Sequence, residues 1–366
     1  MRISDVDSNR DNNMDFMRFL AASAVIYGHA FHLQNLRDPL ESVTGRSTGS
    51  VAVAIFFSLS GFLIAKSLTS RRSLLEFLIA RALRILPALF VVNLLVVVVA
   101  GLAWTTLGTG EFFSNSQTWS YFAWNSSLIK SQFDLPGVFD ENPYGPGVNG
   151  SLWTLPAEAR MYGLVFVAGL TSLFFGRFFG SEFERRRGFV GLFAIAAVVM
   201  SLFGWKAMGL PYASGLLSKP GVELLGYFGF GMLAHAFRER IHLDGRVILA
   251  GASVLLATRE TALANAIFIP WLAYSCLWVA YTTRIDARGF GSRGDFSYGI
   301  YIFAFPIQQW LYSVSPQMSP LSNAGFTFCM VIVLAAASFR LIERPCLGLK
   351  KPLTDKIRSL VGPESS

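Results

Sequence analysis

The residues with the clearest capacity for chemistry sit in the stretch 14 to 33, MDFMRFLAASAVIYGHAFHL, an apolar run that nevertheless carries Asp15, Arg18, His29 and His32. On a helix with ~1.5 Å rise and ~100° of turn per residue, Arg18 and His29 fall roughly 16 Å apart and only about 20° from a common face. An ionisable group at membrane depth costs several kcal/mol unless it faces protein, water or a ligand, so such a stripe belongs in the interior of a helix bundle. Neutral imidazole is the side chain best suited to proton transfer near neutral pH, which makes His29 a candidate general base, with His32 close behind it. A plainer reading stands beside this one: Arg18 could snorkel to the interface or pair with Asp15, and both histidines could be interfacial.

Four further groups of residues carry polar chemistry. In RALRILPAL at 81 to 89, Arg81 and Arg84 are three apart on one face, just before a Pro87 expected to open a helix. Two guanidinium forks at a helix start can grip phosphate oxygens, and Lys66, Arg71 and Arg72 add to that field; ordinary cytoplasmic charge is the alternative. In SLWTLPAEARMYG at 151 to 163, Glu158 either pairs with Arg160 or orients or deprotonates a neighbouring group. In GDFSYGIYIFAFPIQQW at 294 to 310, Gln308 and Gln309 can contact sugar hydroxyls or join helices to one another. Between residues 107 and 151, Trp119, Tyr121 and Trp124 lie among Asn, Ser and Asp, a mixture that suits a sugar and equally suits an aromatic interfacial belt. There is no GxSxG elbow, Walker loop, GxGxxG after a strand or HExxH, and Cys276, Cys329 and Cys346 show neither CxxC nor Cys/His spacing, so no metal site is expected.

The elements that must position these groups are membrane helices. The 366 residues are 53% hydrophobic and 15% charged, against about 45 to 50% and about 25% in a soluble domain. Apolar stretches of spanning length fall at about 14 to 33, 49 to 68, 85 to 106, 152 to 175, 188 to 205, 220 to 237, 247 to 258, 262 to 282, 296 to 313 and 324 to 342. The expectation is an all-α, polytopic membrane bundle of about ten helices, the seventh being the weakest. Lys and Arg support the count: with both termini cytoplasmic, the outer connections hold only Arg37, Arg46, Lys130, Lys206, Lys219 and Arg259. Topology therefore accounts for most of the +8 net charge, and nucleic acid is not needed as a partner. The N-terminus lacks a compact basic region with a cleavage site, so the first span is expected to be retained. The expected layout is a cytoplasmic segment 1 to 13, a membrane domain 14 to 347 with a long outer loop 107 to 151, and a cytoplasmic tail 348 to 366.

R-x10-H from Arg18 to His29, FFSLSGFLI at 56 to 64, RALRILPAL, SLWTLPAEARMYG, SYGIYIFAFPI at 297 to 307 and LIERP at 341 to 345 together resemble the membrane-bound acyltransferase 3 family, over about residues 10 to 347. That family O-acylates bacterial surface polysaccharides, lipopolysaccharide and lipo-oligosaccharide signals. The resemblance implies an acyl-CoA donor from the cytoplasm and an acceptor hydroxyl on the outer or lipid-linked side. Its R-x10-H falls on Arg18 and His29, its paired arginines on Arg81 and Arg84, and its Glu and Tyr on Glu158 and Tyr162. The chain departs from it at Ala304, where many members have His, and at Arg160, where an uncharged or acidic residue is usual. No fused esterase-like domain is recognisable.

The function expected on these grounds is acetyl-CoA-dependent O-acetylation of a bacterial glycan or lipid-linked oligosaccharide in the inner membrane. Its catalytic residues would be His29, as general base or as brief carrier of the acetyl group, with Arg18 and Glu158. Arg81, Arg84 and Arg18 would hold the donor, and Trp119, Trp124, Tyr162 and Gln308 the acceptor. The competing class is a transporter or flippase of a lipid-linked sugar, but duplicated halves and matching broken helices are not seen.

Overall fold

The computed structural model describes residues 1–7, 12–70, 74–175, 182–204, 219–261, 263–282 and 287–361. Arg71 and Arg72 lie outside them. All ten apolar stretches are helical: α1 (Met14–His32), α2 (Thr48–Ser70), α3 (Leu74–Val99), α4 (Thr154–Phe175), α5 (Glu182–Val199), α6 (Lys219–Ala236), α7 (Gly245–Thr258), α8 (Leu263–Tyr281), α9 (Ser297–Val314) and α10 (Pro320–Ser338). Among the described residues there is no β-strand, only isolated bridges. Among the described residues, four helical segments are long and apolar enough to cross a membrane: Thr48–Thr69, Leu74–Trp104, Leu263–Tyr281 and Pro320–Ile357. Gly188–Leu202 and Gly245–Thr258 are apolar but shorter. The helices outside this set include α1, α4 and α9, which carry Arg18 and His29, Glu158 and Tyr162, and Gln308.

Two local expectations need correction. Pro87 does not open a helix: α3 begins at Leu74 and runs through Pro87, as α8 runs through Pro270 and α9 through Pro306. A proline inside an apolar helix is tolerated when neighbouring groups re-satisfy the freed backbone carbonyl. Arg81 and Arg84 are therefore interior to a helix. The long connection 107 to 151 is also partly helical, with Thr109–Ser114 and Ser116–Ser127; the side chain of Asn115 caps the second by accepting from the Gln117 N–H at 2.8 Å.

The chain folds as two compact units, the first made of Met1–Ala21, Ser50–Leu74 and Ala157–Gly294, the second of Ala22–Gly49, Leu75–Pro156 and Asp295–Ser366. In the first, α2 and α6 meet backbone to backbone: a methyl at Gly61 would stand 2.0 Å from the Phe228 carbonyl oxygen, and one at Gly231 2.1 Å from that of Ser58. In the second, α9 is the central element, buried continuously from Gly299 to Gln309 and packed on α10. There too Gly28 of α1 presses on the start of α2, where a methyl would stand 2.6 Å from the Gly49 nitrogen.

Candidate functional site

The second unit contains His29. Because Gly28 lets α1 approach Gly49 so closely, the His29 ring is carried inward, where it meets Phe305 of α9 edge to face at 5.1 Å between centroids. Its Nδ1 is buried without a hydrogen-bond partner. An imidazole nitrogen so placed is available to a substrate proton and is not committed to the fold. Tyr144 of the outer loop packs on the far side, 5.8 Å from Phe305 and 5.2 Å from the exposed His32. Four contacts hold that part of the loop. Asn142 donates to the backbone and side-chain oxygens of Gln309 at 2.9 Å, Gln309 donates to the Gly147 carbonyl at 2.7 Å, and Asn35 donates to the Pro143 carbonyl at 2.8 Å.

Gln308 therefore takes the helix-joining role, and Gln309 ties α9 to the connection at residues 142 to 147. Gln308 donates to the Ile26 carbonyl at 2.8 Å and to the Asn323 side chain at 3.1 Å, and is fully buried. The outer aromatic residues do not form one platform. On the helix Ser116–Ser127, Tyr121 is buried and about 160° away from the exposed Trp119, whose indole N–H donates to the Phe113 carbonyl at 2.8 Å. Trp124 has the Lys130 ammonium over its ring at 4.7 Å. Burial raises the Tyr121 hydroxyl above its usual range, so it stays protonated.

Arg84 is also in the second unit, and its charge is already met. One nitrogen donates to Asp295 at 2.5 Å and another to Glu343 at 3.2 Å, and the guanidinium lies 5.9 Å from the Tyr298 ring. Glu343, which also accepts from Ser338, is presented by a π-helical turn, Phe339–Glu343. A guanidinium shared between two carboxylates is a structural junction, so the paired-arginine phosphate grip does not extend to Arg84 as it stands. Arg81 is half-buried one turn earlier.

The first unit holds Arg18, half-buried on α1, and the group around Glu158. The Glu158 carboxylate accepts from Ser60 of α2 at 3.1 Å and, in a very short bond, from Tyr162 one turn along α4. Residues two apart on a helix point away from each other, so Arg160 is not the partner that sequence proximity suggested. Ser60 was within reach of sequence reasoning, in FFSLSGFLI, but nothing local pairs it with a residue 98 positions on. Lys66 is bonded to Asp7 at 2.6 Å; Tyr281 donates to the same carboxylate at 2.6 Å, and His235 lies 3.8 Å from it. This buried network was not foreseen, and it removes Lys66 from the basic field proposed around the two arginines.

Comparison with known proteins gives the class. A family profile described as an acyltransferase domain matches residues 11–340. The chain belongs to this family, acyltransferase 3. It is similar to an O-acetyl transferase of Shigella phage Sf6, at 27% identity over 94% of this chain and 98% of the relative. It is also similar to Nodulation protein 10 of Rhizobium leguminosarum bv. viciae, at 27% identity over 94% of this chain and 96% of that one. No solved structure shows a significant match.

Proposed function

We propose that this chain is a membrane O-acyltransferase that moves an acyl group, most simply acetyl from acetyl-CoA, onto a hydroxyl of a bacterial surface glycan or lipid-linked oligosaccharide. The observation that carries the reading is His29: an imidazole with a buried, unpartnered nitrogen at the point where α1, α9 and the outer loop converge. In the proposed reaction His29 accepts the acceptor hydroxyl proton as its oxygen attacks the thioester carbonyl. The tetrahedral intermediate expels the thiolate, which recovers that proton from the imidazolium. Arg18 would stabilise the carbonyl or the CoA end, and Arg81 would bind donor phosphates. Glu158, which accepts from Ser60 and Tyr162, would be the catalytic carboxylate. The name of the phage relative supports acetyl as the acyl group.

The protein is placed in the inner membrane as a multi-pass chain of ten spans, residues 14 to 347, with both termini cytoplasmic. Ten helices and the confinement of most Lys and Arg to alternate connections support that placement. The test is release of free CoA from acetyl-CoA by purified protein, dependent on added glycan and lost in His29→Ala. Glycan-independent release would refute the proposal, and glycan-dependent release that persists in His29→Ala would refute His29 as the base.

A further inference from the structure

Buried polar atoms without partners are rare in folded proteins, because each forfeits its hydrogen bonds to water. The second unit gathers several along one edge of α9. The side-chain oxygens of Asn149, Ser151 and Gln308 and Nδ1 of His29 are all buried and unpartnered. They are neighbours through named contacts. Asn149 donates its amide to the Ile302 carbonyl at 3.0 Å, Tyr301 donates to the Ser151 carbonyl at 2.8 Å, and Gly150 lies so close that a methyl there would stand 2.7 Å from the Phe305 ring. That ring also touches His29, while Gln308 is one helical turn further along and is bonded to Ile26, one turn before His29. In Asn149 and Gln308 the amide nitrogen fixes the chain, and in Ser151 the backbone carbonyl does, while the side-chain oxygen is left over. Tyr144, 38% exposed and in ring contact with Phe305, adds an open aromatic face beside them.

We propose that outer-loop residues Tyr144, Asn149 and Ser151 bind the acceptor glycan, Tyr144 by stacking on a sugar ring and Asn149 and Ser151 by hydrogen bonds to its hydroxyls. This rests on the O-acyltransferase reading above and gives it an acceptor site different from the Trp119 and Trp124 surface. Stacking needs an accessible ring with a sugar C–H face against it, and Tyr144 supplies one next to the base. Hydroxyl recognition needs acceptors and donors held rigid and kept from water, which Asn149 and Ser151 supply.

The test measures acetyl transfer from radiolabelled acetyl-CoA to water-soluble polysaccharide extracted from source-strain cells lacking the protein. It compares purified wild type, Ser151→Ala, Tyr144→Ala and His29→Ala. The acceptor KM is expected to rise at least about fivefold in Ser151→Ala and about tenfold in Tyr144→Ala, with the donor KM within about twofold of wild type. Ser151→Ala removes an unpartnered buried hydroxyl, so its melting temperature should be unchanged or higher, a combination that a merely structural serine would not give. Acceptor KM values within about twofold in both variants, while wild type transfers acetyl, would overturn the acceptor site alone. A loss that instead tracks a fall in melting temperature or a rise in donor KM would do the same. If wild type transfers no acetyl to the polysaccharide, the O-acyltransferase reading itself falls and takes this site with it.

Discussion

Arg84 and Glu343 stand 259 positions apart in the chain, yet their side chains meet at 3.2 Å with Glu343 only 1% exposed. With Asp295 on the other side, the arginine neutralises one of two carboxylates and bridges α3, the start of α9 and the end of α10. Removing a cation held between two carboxylates takes the same charge partner from both, and breaking such a buried pair typically costs about 3 to 5 kcal/mol. Arg84→Gln is therefore expected to lower the melting temperature or the yield of folded protein sharply. Glu343→Gln, which leaves a neutral Arg84 and Asp295 pair, should be far milder. Thermal unfolding in detergent distinguishes them, and equal stability of both variants with wild type would remove the junction role.

Arg81→Gln is expected to behave differently from its neighbour. Donor binding should weaken while the folded amount changes little, because a phosphate contact depends on charge and planar geometry. Apparent affinities for acetyl-CoA and for acceptor, measured separately, decide this. An unchanged donor affinity would assign Arg81 to topology.

His29→Ala should reduce transfer by about 10²-fold or more, the usual worth of a general base, at unchanged membrane insertion. Activity within about threefold of wild type at equal expression would move the role to His32.

Glu158→Gln keeps the shape of the side chain and can still accept from Ser60 and Tyr162. If the carboxylate acts in the transition state, turnover should fall more than acceptor binding. If only the amount of folded protein falls, Glu158 serves as an internal hydrogen-bond hub.

Gly28→Ala is the sharpest packing test. Alanine ordinarily stabilises a helix by about 1 kcal/mol over glycine, but here the methyl would stand 2.6 Å from backbone that cannot swing away. Overpacking of this kind costs about 1 to 3 kcal/mol, so the net sign is destabilising. A melting temperature at or above wild type would show that α1 and α2 can part without loss.

Hydrophobic runs made the helices legible: all ten stretches are helical, and even the short seventh is a helix of 14 residues, Gly245–Thr258, capped by Asp244. Length and apolarity are local properties. Partnerships are not, and this is where reading along the chain fell short. Nothing near Arg84 announces Asp295 or Glu343, and Ser60 is a more distant partner for Glu158 than the adjacent Arg160. The helix Ser116–Ser127 was hidden because small polar and aromatic residues have weak helix preference, although Asn115 was an available capping signal. Pro87 misled because its meaning depends on whether neighbouring helices enclose it.

The π-helical turn Phe339–Glu343 also acts as a gauge of chain register. A π turn accommodates one residue more than an α turn, so the helix before it and the segment after it are out of phase by one position. Deleting a single residue there would let the helix close as an ordinary α-helix. Everything beyond would turn by ~100° and shift by ~1.5 Å. Glu343 would leave Arg84, and Lys350, which is bonded to Glu76 at 2.8 Å, would be carried off the start of α3. One inserted residue thus keeps two ends of the second unit in step, and insertions or deletions should be tolerated after Lys350 far better than within the turn.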